Sequence, residues 1–358
     1  MKRKEIIISL IGILIFIASL LYIQEVVEPK YINETLEGSL IDDYYNSEKD
    51  HSVLFIGDCE VYENFSPITL WEEYGITSYI RGSAQQLIWQ SYYLLEETLR
   101  YEKPDVVVFN VLAMKYDKPQ KEEYNRMTLD GMKFSMSKLK SIIASMREEE
   151  SIIDYIFPLL RYHSRWSDLE VEDFTYALND NDVSHNGYLM RVDSKAVTSF
   201  REGKELADYN FGENSYKYLD MITKLCKDND VELVLVKAPT IWPYWYDEWD
   251  EQIINYSEEN DLMYINFLDY IDEVGIDFQK DTYDGGLHLN TSGAEKLSSY
   301  FGKILVDNFN LKDYRNNKEI SKVYEEKVKV YEDMKEDQYD ELAKYGYLKS
   351  YGGRKIKN

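Results

Sequence analysis

Three places in this chain hold residues that could do chemistry. All fall at the C-terminal ends of predicted strands, where open parallel sheets place their ligands. The first is Gly57-Asp58-Cys59-Glu60, directly after the apolar run Val53–Ile56. A glycine permits a tight turn there. N–H groups at the start of a following helix would stabilise a thiolate or an oxyanion. The plainer reading of Cys59 is a small buried hydrophobe, and carboxylates at Asp58 and Glu60 disfavour a thiolate. The second is the Gly-rich loop Asp284-Gly285-Gly286-Leu287-His288-Leu289-Asn290-Thr291-Ser292-Gly293. A histidine beside an acid suits a general base with its orienting carboxylate. The alternative is that Asn290 or Thr291 caps the next helix and His288 merely packs. The third is the pair Gly82 and Asn110, each closing a strand, where either could donate an N–H to a developing oxyanion.

Further residues border these places. Lys237-Ala238-Pro239-Thr240 leads into Trp242, Tyr244, Trp245, Tyr246 and Trp249. Flat aromatic faces with polar tips suit stacking on sugar rings, and a packed lid or subunit contact is the rival reading. Arg161, His163, Arg165 and Trp166, and the loop around His185, either fold over the site to read an anionic group or form ordinary surface. Cys226 reads as core.

Positioning these residues requires an α/β scaffold. Five short apolar or β-branched runs read as buried strands: 53–56, 77–80, 106–110, 233–237 and 263–266. Helical spacing of apolar residues occupies 87–101, 216–227, 250–260 and 294–308. Alternation of this kind implies parallel βαβ units with both sheet faces covered. About 120 residues separate the third and fourth strands, too many for one crossover. An insertion is therefore expected at about 112–210, with helices at 130–147 and 151–166. The core domain is expected over 51–310. Residues 311–358 read as a charged C-terminal helix with a solvated face over 317–336 and a loose tail from 346.

Composition narrows the function. The chain has 358 residues, 44% hydrophobic and 15% aromatic, too apolar for disorder and long enough for a core without staples. A net charge of -25 makes phosphate backbones, and hence nucleic acids, poor partners. Two cysteines and four histidines exclude a disulfide framework and a Cys-rich zinc module. No cofactor or metal is expected.

The N-terminus sets the expected compartment. Lys2, Arg3, Lys4 and Glu5 precede Ile6–Ile23, eighteen residues without charge. At about 1.5 Å per residue such a helix spans roughly 27 Å, close to the hydrocarbon thickness. The apolar run is longer than a signal-peptide core and lacks a small-residue cleavage site. We therefore expect a cytoplasmic tip and single-pass signal anchor over 1–28, a stalk over 29–50 and an extracytoplasmic body, by the positive-inside rule. The first 23 residues carry +2, leaving -27 outside. That charge predicts a body standing off anionic headgroups.

Taken in order, Gly57-Asp58-Cys59, Gly82, Asn110 and His288 with upstream Asp284 resemble the four blocks of the SGNH (GDSL-like) hydrolase family. The resemblance covers 53–110 and 230–308, and looks closest to membrane-anchored bacterial envelope proteins that act beside membrane-bound O-acyltransferases. It implies a five-stranded parallel sheet between helices and ester hydrolysis or acyl transfer, commonly on carbohydrate. By that resemblance Cys59 stands where the family has its nucleophilic serine, and His288 matches the base. Asp284 is the orienting acid, with Asp281 as fallback. The Cys59 N–H, the Gly82 N–H and the Asn110 side chain match the oxyanion hole. Two departures matter: thiol replaces hydroxyl, and the acid lies four residues before His288 where the family has three. The expected partners are an acylated cell-envelope polysaccharide or glycolipid and a membrane O-acyltransferase. The alternatives are a catalytically inactive subunit that binds a glycan or that acyltransferase, and a thioesterase.

Overall fold

The computed structural model describes residues 3–29, 40–176, 184–200 and 202–350. Met1 and Lys2, residues 30–39 of the expected stalk, parts of the insertion at 177–183 and 201, and 351–358 of the expected tail lie outside the described residues.

Strands β1 (Val53–Gly57), β2 (Ser78–Gly82), β3 (Val106–Asn110), β4 (Glu232–Lys237) and β5 (Met263–Asn266) form one sheet in the order β2-β1-β3-β4-β5. Every neighbouring pair is parallel. The fold class is therefore the expected one, a five-stranded parallel α/β sheet flanked by helices. Successive side chains on a strand point to opposite faces. Accordingly Val53, Phe55, Val106 and Val108 join one apolar cluster, while Leu54, Ile56, Val107 and Phe109 join the other. Helices Pro67–Tyr74 and Thr291–Asn308 cover the first face. Helices Ile88–Thr98, Glu213–Asp228 and Asp247–Asn260 cover the second. Burial on both faces is why the strands read as unbroken apolar runs. The chain leaves β1 toward β2 on one side and returns through β3 to β5 on the other. That reversal opens a crevice at the C-terminal ends of β1 and β3, where Cys59 and Asn110 stand.

Between β3 and β4 the chain forms helices Glu122–Leu129, Met136–Ser145, Ile152–Ile156, Pro158–Tyr162 and Val171–Tyr176. The expected 151–166 helix is broken because Pro158 disfavours helical geometry at Phe157. The Pro67–Tyr74 helix was not anticipated, though its signal is plain. Ser66 caps it by accepting from the Thr69 N–H at 3.2 Å, and Pro67 opens it.

Two expectations are corrected. Residues 40–50 are not a free stalk: Leu40, Ile41 and Tyr44 are fully buried, and Tyr44 donates to Glu102 at 2.7 Å. Apolar residues in an otherwise polar segment were enough to draw it into the body. Nor is the C-terminal helix, Lys318–Tyr345, merely solvated. Tyr324, Tyr331 and Gln338, seven residues apart, are buried on one stripe. Tyr324 stacks on Trp71 at 4.3 Å, and Tyr331 donates to Glu295 at 2.9 Å. A tyrosine stripe buries its rings while its hydroxyls find acceptors, so a charged composition conceals it.

The N-terminal helix runs Arg3–Val27 and is long and apolar enough to cross a membrane, with its apolar stretch outside the body. Its last turn is not free. Val26 and Val27 are buried, Arg165 Nη1 donates to the Val27 carbonyl at 2.6 Å, and Tyr22 donates to the Phe174 carbonyl at 3.3 Å.

Candidate active site

The turn that carries Cys59 is built by close approach. A side chain at Gly57 would bring a Cβ within 3.0 Å of Asn110 Cβ and 3.3 Å of Val61 Cγ1. Only glycine lets β1 end against β3 and turn at once into the short helix Cys59–Tyr62. Asp58 caps that helix by accepting from the Glu60 N–H at 3.1 Å. Cys59, its first residue, is partly exposed.

The histidine loop meets this turn from the far end of the sequence. Gly286, at φ +102, presses on Ile241, where an added Cβ would stand 2.3 Å from Cγ1. Its carbonyl accepts from the N–H groups of Ile241 and Trp242 at 2.9 and 3.2 Å. The aromatic loop and the histidine loop are thus zipped together. Leu289 is tied across to the Cys59 side, its N–H donating to Asn64 Oδ1 at 2.7 Å.

These ties bring Cys59, His288 and Asp284 into one cluster. His288 Nδ1 lies 2.7 Å from Asp284 Oδ2, and Asp284 Oδ1 accepts from the His288 N–H at 2.9 Å. Asp281, the fallback acid, is engaged elsewhere: it accepts from Lys296 Nζ at 2.6 Å. The Cys59 thiol faces the imidazole closely enough that each perturbs the other's proton affinity. The buried Nε2 has no formed hydrogen bond.

Electrostatics around the pair favour a neutral thiol and a charged ring. Burial pushes the Cys59 thiol up to about 11 against the opposing pull of His288. Burial would lower His288, but Glu63, Cys59 and Asp284 outweigh it and hold the ring well above its ordinary value. Burial would raise Asp284, yet its hydrogen bond and ion pair with His288 hold it below the usual carboxylate range. Tyr283 lies parallel to the imidazole at 5.9 Å between centroids, and its hydroxyl donates to Glu63.

The oxyanion candidates are placed less simply. Gly82 ends β2 opposite Gly57. Asn110 is fully buried, and one hydrogen of its amide already donates to Glu60 Oε2 at 2.9 Å. Its Oδ1 accepts from the Leu112 N–H at 2.9 Å. Glu60 is the centre of a network the sequence reading missed. Its Oε1 meets Lys237 Nζ at 2.8 Å and the Thr240 hydroxyl. Glu60 and Lys237 are both essentially inaccessible to water. Periodicity gave no sign of it, because the partners lie 177 positions apart. Burial first, then the neighbouring Glu60 charge, pushes Asp58 up to about 6.

Of the expected substrate contacts, Trp242 and Tyr244 line a pocket with Phe200, Thr240, Ile241 and Leu268, next to the zipped loops. Trp245 forms its floor but is not a free stacking face. It is 7% exposed, its indole N–H donates to Asp250 at 2.9 Å, and Phe211 and Trp249 pack on it. His185 and Arg161 are corrected. His185 is buried under the C-terminal helix, with Nε2 3.2 Å from Met334 Sδ and its ring edge-on to Tyr331. Asn186 ties that loop to the edge strand β2, its carbonyl accepting from the Ile80 N–H and its amide donating to the Ser78 carbonyl, each at 2.9 Å, which fixes His185 there. Arg161 pairs with Glu122 at 2.9 Å, and its own helix packs against the N-terminal helix. Cys226 is buried core. Among the described residues, no group of three His, Cys, Asp or Glu side chains is placed to hold a metal ion.

No family model and no curated protein matches the chain. Among solved structures, it is similar to a protein from Desulfitobacterium hafniense DCB-2 described as lipolytic and of the G-D-S-L family. The match has 12% identity and a TM-score of 0.37, covering 72% of this chain and all of the other. A likeness of that size carries nothing about chemistry.

Proposed function

We propose that this protein is a membrane-anchored, SGNH-like thiol esterase or O-acyltransferase acting on an acylated cell-surface glycan. The observation that carries the proposal is the juxtaposition of Cys59 and His288, with Asp284 held against the other ring nitrogen.

In the proposed reaction Cys59 Sγ attacks the acyl carbonyl carbon while its proton passes to His288 Nε2. The tetrahedral oxyanion is met by the N–H groups of Cys59 and Gly82 and by the remaining Asn110 amide hydrogen. Collapse breaks the ester C–O bond, and His288 returns the proton to the departing sugar oxygen. A thioester on Cys59 remains. Water or a second sugar hydroxyl then attacks it, giving up its proton through His288, and the thiol is regenerated. Asp284 keeps Nδ1 protonated so that Nε2 is the working nitrogen. Trp242 and Tyr244 offer ring faces to the glycan. The apolar N-terminal helix anchors the body outside the cytoplasm, and a membrane O-acyltransferase would supply or receive the acyl group.

A second reading has its own support. The raised thiol and the carboxylates Asp58 and Glu63 near it oppose a thiolate, which suits a silent subunit that only binds a glycan or an acyltransferase. One experiment separates them. The full chain in detergent is incubated with p-nitrophenyl acetate and examined by intact mass. The esterase reading expects release of nitrophenol and a trapped acetyl group on Cys59, both lost in Cys59→Ala. Turnover that survives Cys59→Ala would overturn the thiol mechanism, and no acylation at any pH favours the silent subunit.

A further inference from the structure

The helices between Ile152 and Tyr176 carry a run of large apolar side chains in the open: Ile153, Phe157, Leu160, Trp166, Val171 and Phe174 are each 42–73% exposed. Solvent-facing apolar residues scattered singly need no explanation, but six along one short segment do. The location of this segment supplies one. Three of its elements, Pro158–Tyr162, His163–Ser167 and Val171–Tyr176, pack against the N-terminal helix. Tyr22, one residue inside the end of the uncharged run, donates to the backbone carbonyl of Phe174 at 3.3 Å. Arg165 donates to the carbonyl of Val27 at 2.6 Å and is itself fixed by Asp173 at 3.0 Å.

If the N-terminal helix spans a bilayer, Tyr22 sits where the hydrocarbon gives way to headgroups, and Phe174 sits beside it. We infer that the segment Ile152–Tyr176 lies on the outer face of the bilayer, its apolar side chains in the headgroup–acyl boundary and Arg161 and Trp166 at headgroup level. Trp and Tyr with an apolar body and a polar tip are suited to that depth, as are helices that lie in the interface plane with one apolar side immersed. Arg161 keeps 45% of its side chain exposed beside Glu122 and can reach lipid phosphates. This reverses the expectation that the acidic body stands off the membrane. The -27 is spread over the whole body, and this segment itself carries Asp154, Asp168, Glu170, Glu172 and Asp173 against Arg161 and Arg165, so its attachment would rest on the apolar side chains and not on charge. The substrate would then be a surface glycan or glycolipid close to the bilayer. The inference rests on the anchoring part of the proposed function and is independent of Cys59.

Nitroxide labels test it in the full chain, reconstituted into vesicles of phosphatidylcholine and phosphatidylglycerol with no other protein. Single labels go at Leu14→Cys, Val171→Cys and Tyr339→Cys in a Cys59→Ser background, with Cys226 buried and unreactive. Val171 is expected to follow Leu14, with relaxation enhanced more by oxygen than by a water-soluble nickel chelate. Tyr339, on the C-terminal helix, is expected to show the opposite order. Brominated lipid is expected to quench tryptophan fluorescence in the parent chain and measurably less in Trp166→Phe, which needs no label. A lipid-exposed Leu14 with a water-exposed Val171 and unquenched Trp166 would overturn the inference while leaving the anchor intact. A protein would then be what covers the patch. A water-exposed Leu14 would overturn the anchor and this inference with it.

Discussion

At the scale of single residues, the site sets a protonation problem. A general base must be neutral, yet Glu63 and Asp284 hold His288 well above its ordinary value. Turnover by the proposed mechanism should therefore rise with pH through that raised value and peak in alkaline solution. Glu63→Gln removes the largest raising influence, so the acidic limb of the kcat/KM profile should move to lower pH. An unmoved limb would mean that Glu63 does not govern the ring. The buried pair Glu60 and Lys237 gives a stability prediction. Glu60→Ala strands an ammonium in a water-free site and should cost about 3–5 kcal/mol in urea unfolding. Adding Lys237→Met should recover much of that loss. His185 gives one of opposite character. Burial first, then Lys327, lowers its folded value to about 4. The unfolded chain thus binds the extra proton between that value and about 6.5, so stability falls on acidification through this window. The loss between pH 7 and pH 5 should be about 2 kcal/mol smaller in His185→Phe than in the parent chain.

At the scale of elements, the candidate site depends on two loops that meet across the sheet end. The Gly286 carbonyl holds the backbone of Ile241 and Trp242, and Gly286 itself leaves no room for a side chain. Gly286→Ala must accept an unfavourable φ and push Ile241 away, at about 1–3 kcal/mol. Because the same loop carries His288, acylation at Cys59 should fall more than global stability does. Equal losses of thermal stability and acylation rate would show that the junction is merely structural. The C-terminal helix belongs at this scale as well. Its tyrosine stripe closes the β2 edge over His185, Tyr188 and Trp71. Tyr331→Ala should cost about 3–5 kcal/mol, as for other large buried rings.

At the scale of the whole molecule, the candidate-site crevice and the N-terminal helix belong to one body. The inserted helices contact the end of the N-terminal helix, and the Met136–Ser145 helix packs on Ile88–Thr98 beneath the sheet. The N-terminal helix is therefore tied to the body by packed helices. The protein should stay with membranes after alkaline carbonate extraction. Its release as a soluble body under those conditions would contradict a spanning helix.

What was legible in the sequence was whatever is local. The strands were readable because both faces of a parallel sheet are buried, so each is a short unbroken apolar run. The long apolar N-terminal helix was readable because its uncharged stretch is unbroken. The Gly57–Cys59 turn and the Gly-rich histidine loop were readable because glycine marks where backbones must approach. Tertiary structure alone decided the rest, because it depended on partners distant in sequence. It chose Asp284 over Asp281 for His288, and tied Asn110 to Glu60 and Glu60 to Lys237. It buried His185 beneath a helix from the far end of the chain and set the Arg161 helix against the N-terminal one. Each of these is a buried or paired polar group, whose free energy is set by what stands across from it. No spacing along the chain records that partner.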